Sequence, residues 1–239
     1  MRKISISPSL LDSYRVTQAG LFGKTGDDLA NDIIGKREPN EAMSRGTAYH
    51  RLIEEGGEKF LVQDAIINPF DGGEIKEDIW YKVWEPEFGT HWGFKAEAAA
   101  PALQIRSTYP NMLHEMKARH TLKLRGFEVE MRMRLDGVDG ITVHEFKTKN
   151  RAPAMMEYYN ALQWRCYLLP FPEIQAVKYT IFHLNDMNTT CTPHTFTFER
   201  EDGNEGCVMA YMNGFLQWLE MRPELLDHLE QKALRPDYE

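Results

Sequence analysis

Between Glu115 and Lys149 apolar and charged residues alternate in runs cut by two turns, Arg125-Gly126 and Asp139-Gly140. In the middle run Val129, Met131, Met133 and Leu135 interleave with Glu128, Glu130, Arg132, Arg134 and Asp136, the period of two that a strand with one buried face requires. The segment reads as an antiparallel meander whose second turn, Asp139-Gly140, is a tight hairpin loop.

On either side of the meander the pattern changes to helix. Ser7 followed by Pro8, Leu10 and Leu11 marks a capped helix start and the first element of the chain, and a second short helix fits Asp27 to Ile34, before a polar loop from Gly35 to Asn40. Glu41 to Lys59 has helical spacing, with Met43, Thr47, His50 and Ile53 on the inward face and Gly46 permitting a close neighbour. A helix from Ala154 to Leu169 ends before Pro170; strands follow at Ala176 to Leu184 and Thr195 to Glu199, then helices at Glu205 to Met221 and Pro223 to Leu234. Residues 64–110 fit neither pattern well and read as an insertion or lid whose aromatics, Trp80 to Phe94, belong mostly to a core. The order predicts a single α/β domain over 1–239, a mixed central sheet with an antiparallel meander flanked by helices.

Composition narrows the setting. A chain of 239 residues, 42% hydrophobic, can bury one sizeable core. With no export signal and no apolar run of membrane-spanning length, a soluble cytoplasmic protein is expected. The 3 cysteines, Cys166, Cys191 and Cys207, have neither metal-site nor disulfide spacing. A net charge of −8 argues against broad adhesion to nucleic acid while leaving room for a local basic groove.

The chemistry sits in the hairpin. A loop of Asp139-Gly140 sets Val138 opposite Ile141, Asp136 opposite Val143 and Arg134 opposite Glu145, so that Asp136, Glu145 and Lys147 share a face; opposed or diagonal neighbours lie within about 8 Å. Two carboxylates so held repel unless a cation sits between them or one stays protonated. Oxygen ligands suit Mg²⁺ or Mn²⁺, and a lysine beside them can orient or deprotonate a metal-bound water, or hold transition-state charge. That is equipment for phosphodiester hydrolysis; the competing reading is a solvated charged strand face, since acid-x-Lys also occurs at Glu74, Glu115 and Glu230.

In order and context these residues resemble the PD-(D/E)XK nuclease superfamily, and within it the RecB-like and RecE-like exonucleases, often phage-encoded. The matching positions are Ser5-Ile6-Ser7 opening into a helix, Gly46-Thr47-Ala48-Tyr49-His50, Glu115, Asp136, Glu145-Phe146-Lys147, and Gln163-Trp164-Arg165-Cys166-Tyr167. The resemblance spans about residues 4 to 170. It implies a restriction-endonuclease-like core, metal held by His50, Asp136, Glu145 and the Phe146 carbonyl, and Lys147 as catalytic lysine. Gln163 and Tyr167 would contact the DNA backbone, and Glu115 would be an accessory acid. It implies DNA as substrate, an exonuclease acting in recombination, repair or phage DNA metabolism, a strand-annealing or recombination partner, and room for a homo-oligomer. No counterpart of the cysteines that hold an iron–sulfur cluster in some relatives is present, so no cluster is expected. A structure-selective endonuclease on the same fold, and a non-catalytic scaffold retaining it, are the alternatives.

Overall fold

A computed structural model of the protein describes residues 1–36, 40–67 and 75–235. In chain order, β1 (Arg2–Ile6), α1 (Pro8–Gln18), α2 (Gly26–Ile34) and α3 (Glu41–Glu55) precede β2 (Leu61–Ile67), β3 (Ile75–Glu85), β4 (Thr90–Lys95) and α4 (Ala96–Thr108). The meander follows as β5 (Leu113–Leu124), β6 (Phe127–Asp139) and β7 (Thr142–Lys149), then α5 (Met155–Tyr159) and α6 (Gln163–Tyr167). Last among the described residues come β8 (Ala176–Leu184), β9 (Cys191–Glu199), α7 (Asn204–Glu220) and α8 (Pro223–Leu234).

The central sheet is mixed, as the pattern implied: its strand order is β1-β6-β7-β8-β9, with β5 also on β6. Both of its faces are buried. Val129, Met131 and Leu135 of β6 and Val177, Tyr179 and Ile181 of β8 join Leu10, Leu11, Phe215, Leu216 and Leu226 in one cluster. Phe146, Phe182 and Leu184 face the other way, onto Tyr49, Leu52, Phe94 and Ala99. A core on each face explains why β8 is apolar nearly throughout.

Several expectations need correcting. The first element is the strand β1, not a helix; it runs parallel to β6 from Arg2↔Phe127 to Ile6↔Met131, and only then does Ser7 cap α1, its Oγ accepting from Leu10 N at 3.2 Å. Arg2 also clasps α8, donating to Glu230 at 2.5 Å and Asp227 at 2.9 Å. The hairpin loop is Gly140-Ile141, with Asp139 paired to Thr142. Gly140 takes φ 55° at the first loop position, where a tight hairpin favours glycine. The register therefore differs from the expected one by two residues, setting Val138 opposite Val143 rather than Ile141, which preserves the faces; the ladder ends at Gly137↔His144, just short of Asp136 and Glu145.

The expected helix over 154–169 is two short ones. Its break is held by side chains: Asp12 Oδ1 accepts from Leu162 N at 2.9 Å, and Arg165 donates to the carbonyls of Tyr159 and Ala161 at 2.7 and 3.0 Å. Within 64–110, of which 68–74 lie outside the described residues, α4 and most of the antiparallel sheet β2-β3-β4 are found, packed against α3 through Val83, Phe94 and Ala98. Phe94 is buried, but Trp84 and Phe88 are exposed, so the aromatic group is divided between core and surface. The polar loop expected from Gly35 to Asn40 lies partly outside the described residues. Among the described residues no helix is long and apolar enough to cross a membrane.

Candidate active site

β6 carries three partners on two edges. β5 pairs with it from Leu113↔Val138 to Leu124↔Phe127. The other edge is shared: β1 takes it up to Met131, and β7 takes it only from Gly137 to Asp139. Between these, residues 132–136 have no strand on that edge among the described residues. The gap opens into a cleft of about 1250 Å³ lined by His50, Glu115, Asp136, Glu145, Lys147, Gln163 and Tyr167 among others.

Within the gap, side chains replace the missing ladder. Asp136 Oδ2 accepts from the Phe146 backbone N–H at 2.7 Å, a bond that a neighbouring strand's carbonyl would otherwise supply. Glu145, across the gap, is buried. Its Oε1 accepts from Lys147 Nζ and from Gln163 Nε2, the latter at 2.8 Å. Gln163 also donates to the Tyr167 hydroxyl at 2.5 Å, so α6 presents both residues to Glu145 from one face. Glu115 adopts φ 55° on β5 and forms an ion pair with Arg134 at the cleft edge.

His50 comes from α3. The buried stripe of that helix is Ser44, Ala48, Tyr49, Leu52 and Ile53, whereas Met43 and Thr47 are exposed. The inward face expected from the spacing was thus rotated, and His50 stands at its border, half-buried, lining the cleft instead of the core. Its ring meets Phe146 edge-on at 6.3 Å. Gly46, one turn earlier, lies against Thr148, whose Oγ1 would be 2.8 Å from a Cβ placed there. A side chain at 46 would push α3, and His50 with it, away from β7.

The electrostatics follow from burial in company. Burial raises the Asp136 and Glu145 carboxyls above the usual carboxylate range, against the pull of Lys147. Burial would lower Lys147, but Glu145 and Asp136 outweigh it and hold the ammonium above its ordinary value. His50 is pushed down to about 4, by burial first and then by Lys147, so its imidazole is neutral at pH 7.

Among the described residues no three His, Cys, Asp or Glu side chains stand close enough together to cage a metal ion. Lys147 occupies Glu145 Oε1, supplying part of the countercharge the two acids need. The donor set nonetheless fits a hard cation: Glu145 Oε2 is buried and makes no hydrogen bond among the described residues, Asp136 adds a second carboxylate across the gap, and the neutral imidazole of His50 is available as a ligand.

Two contributors escaped the sequence reading. Glu54, one turn after His50 on α3, lines the cleft and acts on both His50 and Asp136; the i, i+4 spacing from His50 was its signal. Lys117, Arg119, Arg132 and Arg134 of β5 and β6 line the same cleft, a local basic wall hidden in the chain's net charge.

No family model matches the chain, and no curated protein matches it. Solved structures do. SSO0001 superposes with a TM-score of 0.50 at 10% identity, over 91% of this chain and 78% of that one. An exonuclease candidate from Eubacterium rectale gives 0.42 at 13%, over 98% and 84%, and LHK-Exo, solved in complex with dAMP, gives 0.35 at 14%, over 95% and 92%. The likeness to SSO0001 is one of fold: a mixed sheet with helices on its faces.

Proposed function

We propose that this chain is a metal-dependent deoxyribonuclease of the PD-(D/E)XK kind, acting as an exonuclease on DNA ends. The observation that carries the reading is the meeting of Asp136, Glu145 and Lys147 where β7 parts from β6, with His50 presented from α3. A charged strand face without function would turn these groups to solvent; here Glu145 is buried and Asp136 half-buried beside an ammonium, an arrangement that costs stability and is typical of sites where chemistry is done.

In this reading His50, Asp136, Glu145 and the Phe146 carbonyl would hold Mg²⁺ or Mn²⁺. Such an ion would activate water and neutralise charge on the phosphate and the departing oxygen. Lys147, beside both acids, orients the attacking water and stabilises negative charge as it develops. Gln163 holds Glu145 in place through Oε1 and, with Tyr167, faces the strand's backbone. Glu115 keeps Arg134 at the cleft edge, where a guanidinium can take a phosphate oxygen. The basic wall of β5 and β6 gives DNA a track in a protein that is acidic as a whole.

The test is hydrolysis of end-labelled linear and covalently closed circular DNA with and without Mg²⁺, by the wild type and by Lys147→Ala. Metal-dependent shortening of linear DNA that the variant has lost is expected. Equal activity of the two proteins overturns the mechanism, and cleavage of circles at the linear rate replaces the exonuclease by an endonuclease.

A further inference from the structure

Behind Lys147 lies a second cavity, of about 530 Å³, within the size range of small-ligand sites. Lys147 and Gln163 line both spaces, so it opens beside the reacting groups. Nothing in the proposed hydrolysis uses it.

Its walls have three properties that belong together. Tyr158 and Tyr179 line it, and both are buried with hydroxyls that make no hydrogen bond among the described residues; a buried hydroxyl without a partner is costly unless something that binds there completes it. Four cations line it in a chain of net charge −8: Arg15 is paired with Asp12, Arg151 with Glu157 and Lys147 with Glu145, and Lys149 adds a fourth positive charge. At the rim are Leu21, Phe22 and Met156, all exposed, with Phe22 at 75% of its surface. Phe22 also adopts φ 56°, a left-handed conformation uncommon for a bulky residue.

A ligand matching these walls has a flat apolar face, polar edges and negative charge. We propose that the cavity receives an unpaired terminal nucleotide of the substrate strand, its base against Phe22 and Met156, the base edge on the Tyr158 and Tyr179 hydroxyls, and its phosphate on Lys149 and on Arg151, whose guanidinium exchanges Glu157 for it. This rests on the nuclease reading and adds a substrate preference to it. A base edge bonded to tyrosines cannot be bonded to a complementary base, so strand ends carrying a short unpaired overhang are preferred to blunt duplex ends. Base stacking on an aromatic surface is insensitive to sequence, and the preference is for unpaired ends of any composition.

The experiment compares kcat and KM of the full chain with Mg²⁺ on overhang and blunt substrates, alongside stopped-flow fluorescence of 2-aminopurine placed at the terminal or an internal position. The wild type is expected to have the lower KM on overhangs and to quench the terminal probe before product release. Phe22→Ala, a change on the surface, raises the overhang KM by about tenfold and removes the early quench; Tyr158→Phe does the same to a smaller degree. Equal KM on both substrates, or an early quench unchanged in Phe22→Ala, overturns the subsite while leaving the nuclease. A wild type that neither binds nor cuts DNA overturns both.

Discussion

The two halves of β6 present the same face under different conditions. Near its start β6 has β5 on one edge and β1 on the other, and there the buried Glu130 lies beside Arg132. Burial alone would raise that carboxyl, but the Arg132 hydrogen bond and charge, with Lys3 and Arg119, bring it below the ordinary value. Six residues further along the same face, β1 has ended and β7 has not yet joined. There burial prevails, and Asp136 is raised. One acid is a structural anchor content with its ion pair; the other is left short of countercharge, and that shortage is what a divalent cation can relieve.

The largest way to sharpen the contrast is to empty the open half of its ammonium. Lys147→Ala should lower DNA hydrolysis by about 10²–10³-fold while circular dichroism and cooperative unfolding are retained. Next is the last rung before the gap. A Cβ at Gly137 would run into the Met112 thioether, so Gly137→Ala should cost about 1–3 kcal/mol in denaturant unfolding and disturb Asp136 beside it; wild-type stability would mean the rung is looser than its contacts imply.

Glu130→Gln probes the closed half. Because the folded Glu130 pKa lies below its unfolded value, the charge stabilises at neutral pH, and that contribution fades as pH falls through the folded value. The variant should lose about 1 kcal/mol at pH 7, with the difference from wild type closing below about pH 4, and DNA hydrolysis should change little. A gap that widens on acidification would refute the assignment. The smallest effect is expected at Gly140→Ala, about 1 kcal/mol for placing a side chain at φ 55° in the loop, measurable as a modest fall in Tm with activity kept.

Much of this was legible in the sequence where one force dominates locally. Alternation located β6, β8 was bounded at Ala176 and Leu184, and Pro223 marked the start of α8. The common face of Asp136, Glu145 and Lys147 survived an error in register because the error was an even number of residues. What escaped depends on distant partners. Arg2–Ile6 is too short a run to announce a strand that pairs with residues far along the chain. The break at 160–162 is made by Asp12 and Arg165 rather than by a glycine or proline. The face of α3 was misjudged because Met43 and Thr47 fit the spacing, while Ala48 and Leu52 decide the packing.

The clasp of Arg2 onto Glu230 and Asp227 ties β1 to α8, elements far apart in the chain. During synthesis β1 leaves the ribosome long before the strand it must pair with, and its latch on α8 emerges later still. The slot beside β6 therefore takes its finished shape only after α8 has emerged, so a chain cut short before α8 would carry the acids and the lysine without the walls that set them against each other.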